Sequence, residues 1–137
     1  MKYELVIPTS LEKIVEVEKK LNFTFPEDFR KDIFSFNGGY PTSNLFMVGN
    51  VERVFNCFCS MNEEDENYIV DRTHNVDPDY HPEKYIFFAD DPFGNLIGFN
   101  RLDNAIYFFN HEAMENEYTK VAVSWTEFKS MLYKDTN

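Results

Sequence analysis

Basic residues are scarce in this chain of 137 residues: 13 Lys and Arg stand against 24 Asp and Glu, a formal net charge of −11. A nucleic-acid binder needs cations to meet phosphates, and an anionic membrane surface selects for the same, so neither partner is expected. No run of about 18 apolar residues occurs, so no membrane span is expected either. The stretch Met1-Lys-Tyr-Glu-Leu-Val-Ile-Pro8 is too short in apolar residues for a signal peptide and lacks a small-residue cleavage site. Cytoplasmic location is the expectation. There are two cysteines, Cys57 and Cys59. A zinc site needs four ligands, or three and a water, and neither His74 nor His81 stands at a metal spacing from them. A reduced, buried pair is the better reading. Asp77-x-Asp79 lacks the central Gly and closing Glu of a calcium loop. There is no Walker loop, dinucleotide fingerprint or G-x-S-x-G elbow. No metal, no cofactor and no catalytic site are expected.

What is abundant is aromatic and acidic. Phe alone supplies 15 residues. Large rings bury much area each, so a single domain over residues 1–137 can close one core despite its charge. The acid is concentrated. Residues 61–83 carry Glu63, Glu64, Asp65, Glu66, Asp71, Asp77, Asp79 and Glu83 against Arg72 alone, an excess of seven negative charges. Charges this dense stay solvated. The segment reads either as a solvated insert without a partner or as a platform for a cationic one, with Glu63, Glu64, Asp65, Glu66, Asp71, Asp77 and Asp79 as the candidate contacts.

The pattern along the chain predicts helices at both ends and strands between them. Thr9-x-x-Glu12 reads as a capping box, with Ser10 as a rival cap, opening a helix striped by Leu11, Ile14, Val15 and Leu21. A second helix follows Pro26. Leu45 to Phe58 suggests one or two strands, with Gly49-Asn50 as a turn. Residues 61–83 read as irregular, with a short helix around Asp65 to Thr73. Tyr85–Ala89, Leu96–Asn100 and Ala105–Asn110 are joined by short turns, which predicts an antiparallel meander. A last strand over Lys120–Val123 leads into Ser124-x-x-Glu127, a capping box for a helix with Trp125, Phe128, Met131 and Leu132 on its apolar face. Helices at the ends with strands between them indicate α+β: an antiparallel sheet of five or six strands covered on one face.

The most distinctive stretch is Leu21-Asn-Phe-Thr-Phe-Pro-Glu-Asp-Phe-Arg-Lys-Asp-Ile-Phe-Ser-Phe-Asn-Gly-Gly39. Pro26 suits a helix start, Glu27 and Asp28 suit the positive end of its dipole, and Asn37-Gly38-Gly39 ends it. Leu21, Phe25, Pro26, Asp28, Phe29 and Asn37-Gly38-Gly39 resemble the L-G-x-x-L-P-x-D-Y-x-x-F and N-G-G segments of the SUKH superfamily, which joins Syd, herpesvirus and Smi–Knr types. Phe25 stands for the usual Leu and Asn22 for a common Gly. Tyr85–Asn95, Ala105–Glu112 and Val121–Phe128 resemble that superfamily's later strands and closing V-A-x-S-F-x-E-F. The resemblance implies an immunity protein that binds and blocks a toxin domain, such as a nuclease, by stoichiometric contact and not as an enzyme. A nuclease presents a basic surface, which the acidic segment would complement. A regulatory scaffold is the alternative. A third reading, a small enzyme, would need Asp90, Asp91 and His111 to converge, although turn chemistry already explains Asp90-Asp91.

Overall fold

A computed structural model of the protein describes residues 2–112 and 117–135. Helix α1 (Leu11–Leu21) is opened by Ser10, whose Oγ accepts the Lys13 N–H at 3.2 Å. The rival cap, not Thr9, therefore holds the helix start. Its buried line runs through Ile14, Val17 and Leu21. Spacings of three and four place these on one side, which leaves Leu11 exposed and Val15 half-buried, against the predicted stripe. Asn22 ends the helix in the left-handed conformation at φ 50°, which Asn tolerates where other side chains do not. Glu18 then clamps the exit: its carboxylate accepts the Phe25 N–H at 2.8 Å and pairs with Arg30 at 3.1 Å.

Helix α2 (Glu27–Phe36) begins directly after Pro26 and buries Phe29 and Ile33. Its outward carboxylates bind the far end of the chain. Asp28 accepts the backbone N–H of Thr126 at 2.9 Å. Asp32 accepts Trp125 Nε1–H and Lys129 Nζ, both at 2.8 Å. The buried indole thus has its polar edge satisfied. Gly38 leaves α2 at φ 69°. Gly39 is required by space: a Cβ there would lie 2.7 Å from the Phe36 carbonyl and 3.2 Å from Tyr3 Cβ.

Two ribbons flank the main sheet. Strand β1 (Tyr3–Glu4) pairs with β2 (Tyr40–Pro41), and β3 (Leu45–Val48) with β4 (Val51–Val54) through the predicted Gly49-Asn50 turn. The main sheet is antiparallel and purely sequential: β5 (Cys57–Phe58), β6 (Tyr85–Asp90), β7 (Leu96–Asn100), β8 (Ile106–Asn110) and β9 (Glu117–Ala122). Strand β9 starts before the predicted Lys120, because Tyr118 and Thr119 pair with Phe109 and Phe108. Helix α3 (Ile69–His74) and a 3-10 turn (Pro78–Tyr80) lie between β5 and β6, and α4 (Trp125–Met131) closes the chain behind Ser124, which caps it as predicted. Together these elements form the expected α+β arrangement.

Alternation along the strands separates two apolar layers. Ile86, Phe88, Ile97, Phe99, Ile106 and Phe108 face α1, α2 and α4 in the main core. Phe29 sits at its centre, 5.0 Å from the rings of both Phe88 and Phe99 and 5.3 Å from Trp125. On the opposite face Tyr85, Phe87, Leu96 and Phe109 gather under Tyr80 of the 3-10 turn. The sheet is therefore covered on both faces over part of its area, and the second cover comes from the acidic segment. Among the described residues no helix is long and apolar enough to cross a membrane.

Candidate binding surface

The acidic segment is fixed to the fold by a buried polar knot. Asn37, fully buried, donates from Nδ2 to the Ile7 carbonyl at 3.1 Å and to Ser60 Oγ at 3.2 Å. Its Oδ1 accepts the Met61 N–H at 2.8 Å. Ser60 Oγ donates onward to Asp65 at 2.6 Å and accepts the Asn62 N–H at 3.0 Å. Asn62 Nδ2 reaches the Pro8 carbonyl at 2.9 Å and Asp65 at 3.2 Å. Of the side chains in this knot only Asn62 leaves a buried atom, its Oδ1, without a partner, and a buried network bonded this densely specifies one arrangement of the chain. The helix-ending Asn37-Gly38-Gly39 therefore does more than stop α2. It joins the N-terminal strap, the end of β5 and the first turn of the acidic segment.

This knot sorts the seven candidate carboxylates. Asp65 is spent inside it. Glu64 and Glu63 turn back toward α1, pairing with Lys13 at 3.2 Å and Lys20 at 3.4 Å. Lys20 is held above its ordinary pKa first by Glu16, then by Tyr68, with Glu63 contributing less. These pairs are exposed and worth little to stability. Asp77 caps the 3-10 turn by accepting the Asp79 N–H at 2.9 Å, and Asp79 itself is exposed.

Three of the seven come together. Glu66, Asp71 and Asp77 line a groove of about 560 Å³ whose walls include Arg72, Tyr80 and Leu96. Neither Glu66 nor Asp71 has an ion-pair partner among the described residues. Arg72, the one base of the segment, is already engaged, donating to Asp90 at 2.8 Å. The groove thus keeps a negative character that its own cation does not cancel. The expected helix of this segment forms later than predicted, at α3, because the first turn is held in a loop by the knot. That places Asp71 on the outer side of α3, while Ile69, Val70 and Thr73 are buried.

The residues of the enzymatic reading divide. Asp90 lies beside Arg72, Asn56 and Cys57, and burial raises its carboxyl pKa while Arg72 opposes that shift. Asp91 is buried and accepts the N–H groups of Phe93 and Asn95, both at 2.8 Å, and Asn95 Nδ2 at 2.7 Å. Those three bonds make it the staple of the β6–β7 turn. Asn95 Oδ1 in turn accepts the backbone N–H of His111 at 3.0 Å and meets its Nδ1 at 2.6 Å. An amide oxygen only accepts, so this contact keeps the His111 proton on Nδ1. Asp91 and His111 share Asn95 as a structural partner, and Asp90 faces elsewhere. Cys57 and Cys59 are both buried free thiols. Burial, with Asp90 adding, pushes Cys57 up to about 11. Burial raises Cys59 as well. Neither is a ready nucleophile. Among the described residues no group of three or more His, Cys, Asp and Glu could hold a metal ion.

A family model described as the SMI1 / KNR4 family (SUKH-1) matches residues 8–131. The chain belongs to that family. No curated protein matches it in a sequence search. The SUKH-1 match takes in α1, the Pro26 entry, Asn37-Gly38-Gly39, the meander and all of α4. Members of the family generally act by binding proteins, as immunity or regulatory factors, and not as enzymes. The SUKH-1 motif residues turn out to be scaffold: Phe29 centres the core, and Asn37 ties the knot. The acidic side chains that line the groove, Glu66, Asp71 and Asp77, lie outside the motif. Sequence reasoning found Glu66, Asp71 and Asp77 by charge alone. It could not separate them from Asp65, whose partners Ser60 and Asn62 are set by a loop.

Proposed function

We propose that this SUKH-1 chain is a cytoplasmic immunity protein that neutralises a basic toxin domain, a nuclease in the simplest case, by stoichiometric binding without chemistry. The observation that carries the reading is the groove holding Glu66, Asp71 and Asp77, which is built on a rigid knot yet has acidic walls that its own Arg72 does not neutralise. A nuclease must present cations where it holds phosphate. An acidic inhibitor can cover that surface and approach it quickly under electrostatic attraction. The knot supports this role, because a preorganised surface loses little freedom on binding.

The test is co-expression with a candidate toxin domain drawn from the genes that flank this one. The expected result is rescue of growth and a one-to-one complex by gel filtration. Absence of both rescue and complex would overturn the reading. Discrete housekeeping partners in cells without any toxin locus would favour the regulatory scaffold instead.

A further inference from the structure

A second groove, of about 530 Å³, adjoins the first and shares Glu66 and Asn67 with it. Its character differs. Leu5, Ile7, Tyr40 and Cys57 line it, with Glu66 and Asp90 at the polar side. Leu5 is 75% exposed and Tyr40 37%. Leu5 also holds φ 55°, a backbone region that a bulky side chain rarely enters. The surrounding bonds fix it there. The β1–β2 ribbon holds the chain on one side, and on the other the Ile7 N–H donates to the Asn37 carbonyl at 2.8 Å. The strap therefore presents an apolar side chain beside an apolar trough, and the knot keeps it in place.

We propose that this trough receives an arginine side chain from an exposed loop of a basic protein partner. The inference rests on the immunity reading for the partner's class and adds to it the place and chemistry of the anchor. Charge complementarity selects the occupant. The trough is apolar along Leu5, Ile7 and Tyr40, which suits the three-methylene stem of arginine. Its lining also includes Glu66, which has no ion-pair partner among the described residues, and Asn67, whose Nδ2 already donates to the Phe58 carbonyl. A planar guanidinium can pair with the free Glu66 carboxylate. The fold already shows this chemistry once, in the 2.8 Å bond from Arg72 to Asp90 at the same wall. A purely apolar partner would leave Glu66 facing it without compensation. A purely cationic one would leave the Leu5 and Tyr40 surfaces unused.

The probe is N-acetyl-arginine amide, titrated into the isotopically labelled full chain and followed by amide NMR shifts. N-acetyl-citrulline amide, which has the same shape without the charge, is the control. Arginine should move the amides of Leu5, Ile7, Tyr40 and Asn67 at concentrations where citrulline does not. Leu5→Ala and Glu66→Gln should each weaken the effect by about threefold to tenfold, whereas Glu64→Gln on the α1 side should not. Well-dispersed spectra of these surface variants keep the comparison valid. Equal response to citrulline, no localised response, or shifts centred on Glu63 and Glu64 would each overturn the proposal. A candidate toxin domain drawn from the flanking genes separates the two readings. If it binds and Leu5→Ala leaves its Kd within twofold, the anchor fails and the immunity reading stands. If it does not bind while arginine still does, the immunity reading fails and the arginine site stands.

Discussion

Replacing Asn37 with alanine tests whether the polar knot, and not the glycines beside it, holds the binding surface in shape. The change removes the bonds to the Ile7 carbonyl, Ser60 Oγ and the Met61 N–H while adding no bulk. Met61 is 1% exposed, so its N–H loses its partner in a place water does not reach. An orphaned buried donor costs about 1–3 kcal/mol, and each of the other bonds contributes about 1 kcal/mol net. The expected loss is therefore about 4 kcal/mol, a large share of the stability of a domain this size. With a urea slope of about 1.5 kcal/mol per molar, the unfolding midpoint should fall by about 2.5 M. The assay is built into the chain. Trp125 is the only tryptophan and is fully buried, so its emission reports global unfolding. Hydrogen exchange at Ile7 and Met61 should accelerate more than at Phe99 in the core. A midpoint shift under about 0.5 M, with an unchanged slope, would refute the argument, because the network would then contribute no more than an ordinary surface contact.

Asp65→Ala should cost about 2 kcal/mol in urea unfolding, since Ser60 and Asn62 lose a shared acceptor, yet leave the association rate with a toxin domain unchanged. Glu66→Lys combined with Asp71→Lys should do the opposite: stability within about 0.5 kcal/mol of the parent, and association at low salt slowed about tenfold with a flatter salt dependence in stopped flow. Gly39→Ala should destabilise by about 2–3 kcal/mol, because its Cβ would meet the Phe36 carbonyl at 2.7 Å, and thermal unfolding would show it. Cys57 gives the pH dependence. Its thiol rises from an ordinary 9 to about 11 in the folded chain, so folding favours the protonated form. That stabilisation is complete below about pH 9 and is lost as pH rises through about 11. Urea midpoints from pH 8 to 11 should therefore fall more steeply in the parent than in Cys57→Ala. At pH 8 a thiol reagent should react with neither cysteine until urea is added.

The motif that identifies the family and the surface proposed for its function were legible to different degrees, for a physical reason. Pro26, Asn37 and Gly38 act through local backbone geometry, which a one-dimensional pattern records. The same holds for the Ser124 cap and for the strand alternation of the meander. The cap of α1 shows where local rules run out. Thr9 and Ser10 both satisfy them, and in the fold it is Ser10 that takes the cap. The stripe of α1 shifted as well: tertiary packing buries Val17 and leaves Val15 half-buried, a choice that the local pattern does not fix.

The acidic segment marks the division most clearly. Composition alone determined that this chain is acidic, that phosphate and anionic membrane surfaces suit it poorly, and that its charge is concentrated before the meander. Periodicity and turn chemistry determined the α+β order. Which carboxylates are available was decided only by tertiary contact. Asp65 is taken by Ser60, Glu63 and Glu64 lean on lysines more than 40 residues away along the chain, and Glu66 and Asp71 are left facing a groove. Charge is a property of the residue and is read from its letter. Availability depends on which groups the folded chain brings within hydrogen-bond distance, and contacts between distant segments leave no local signature.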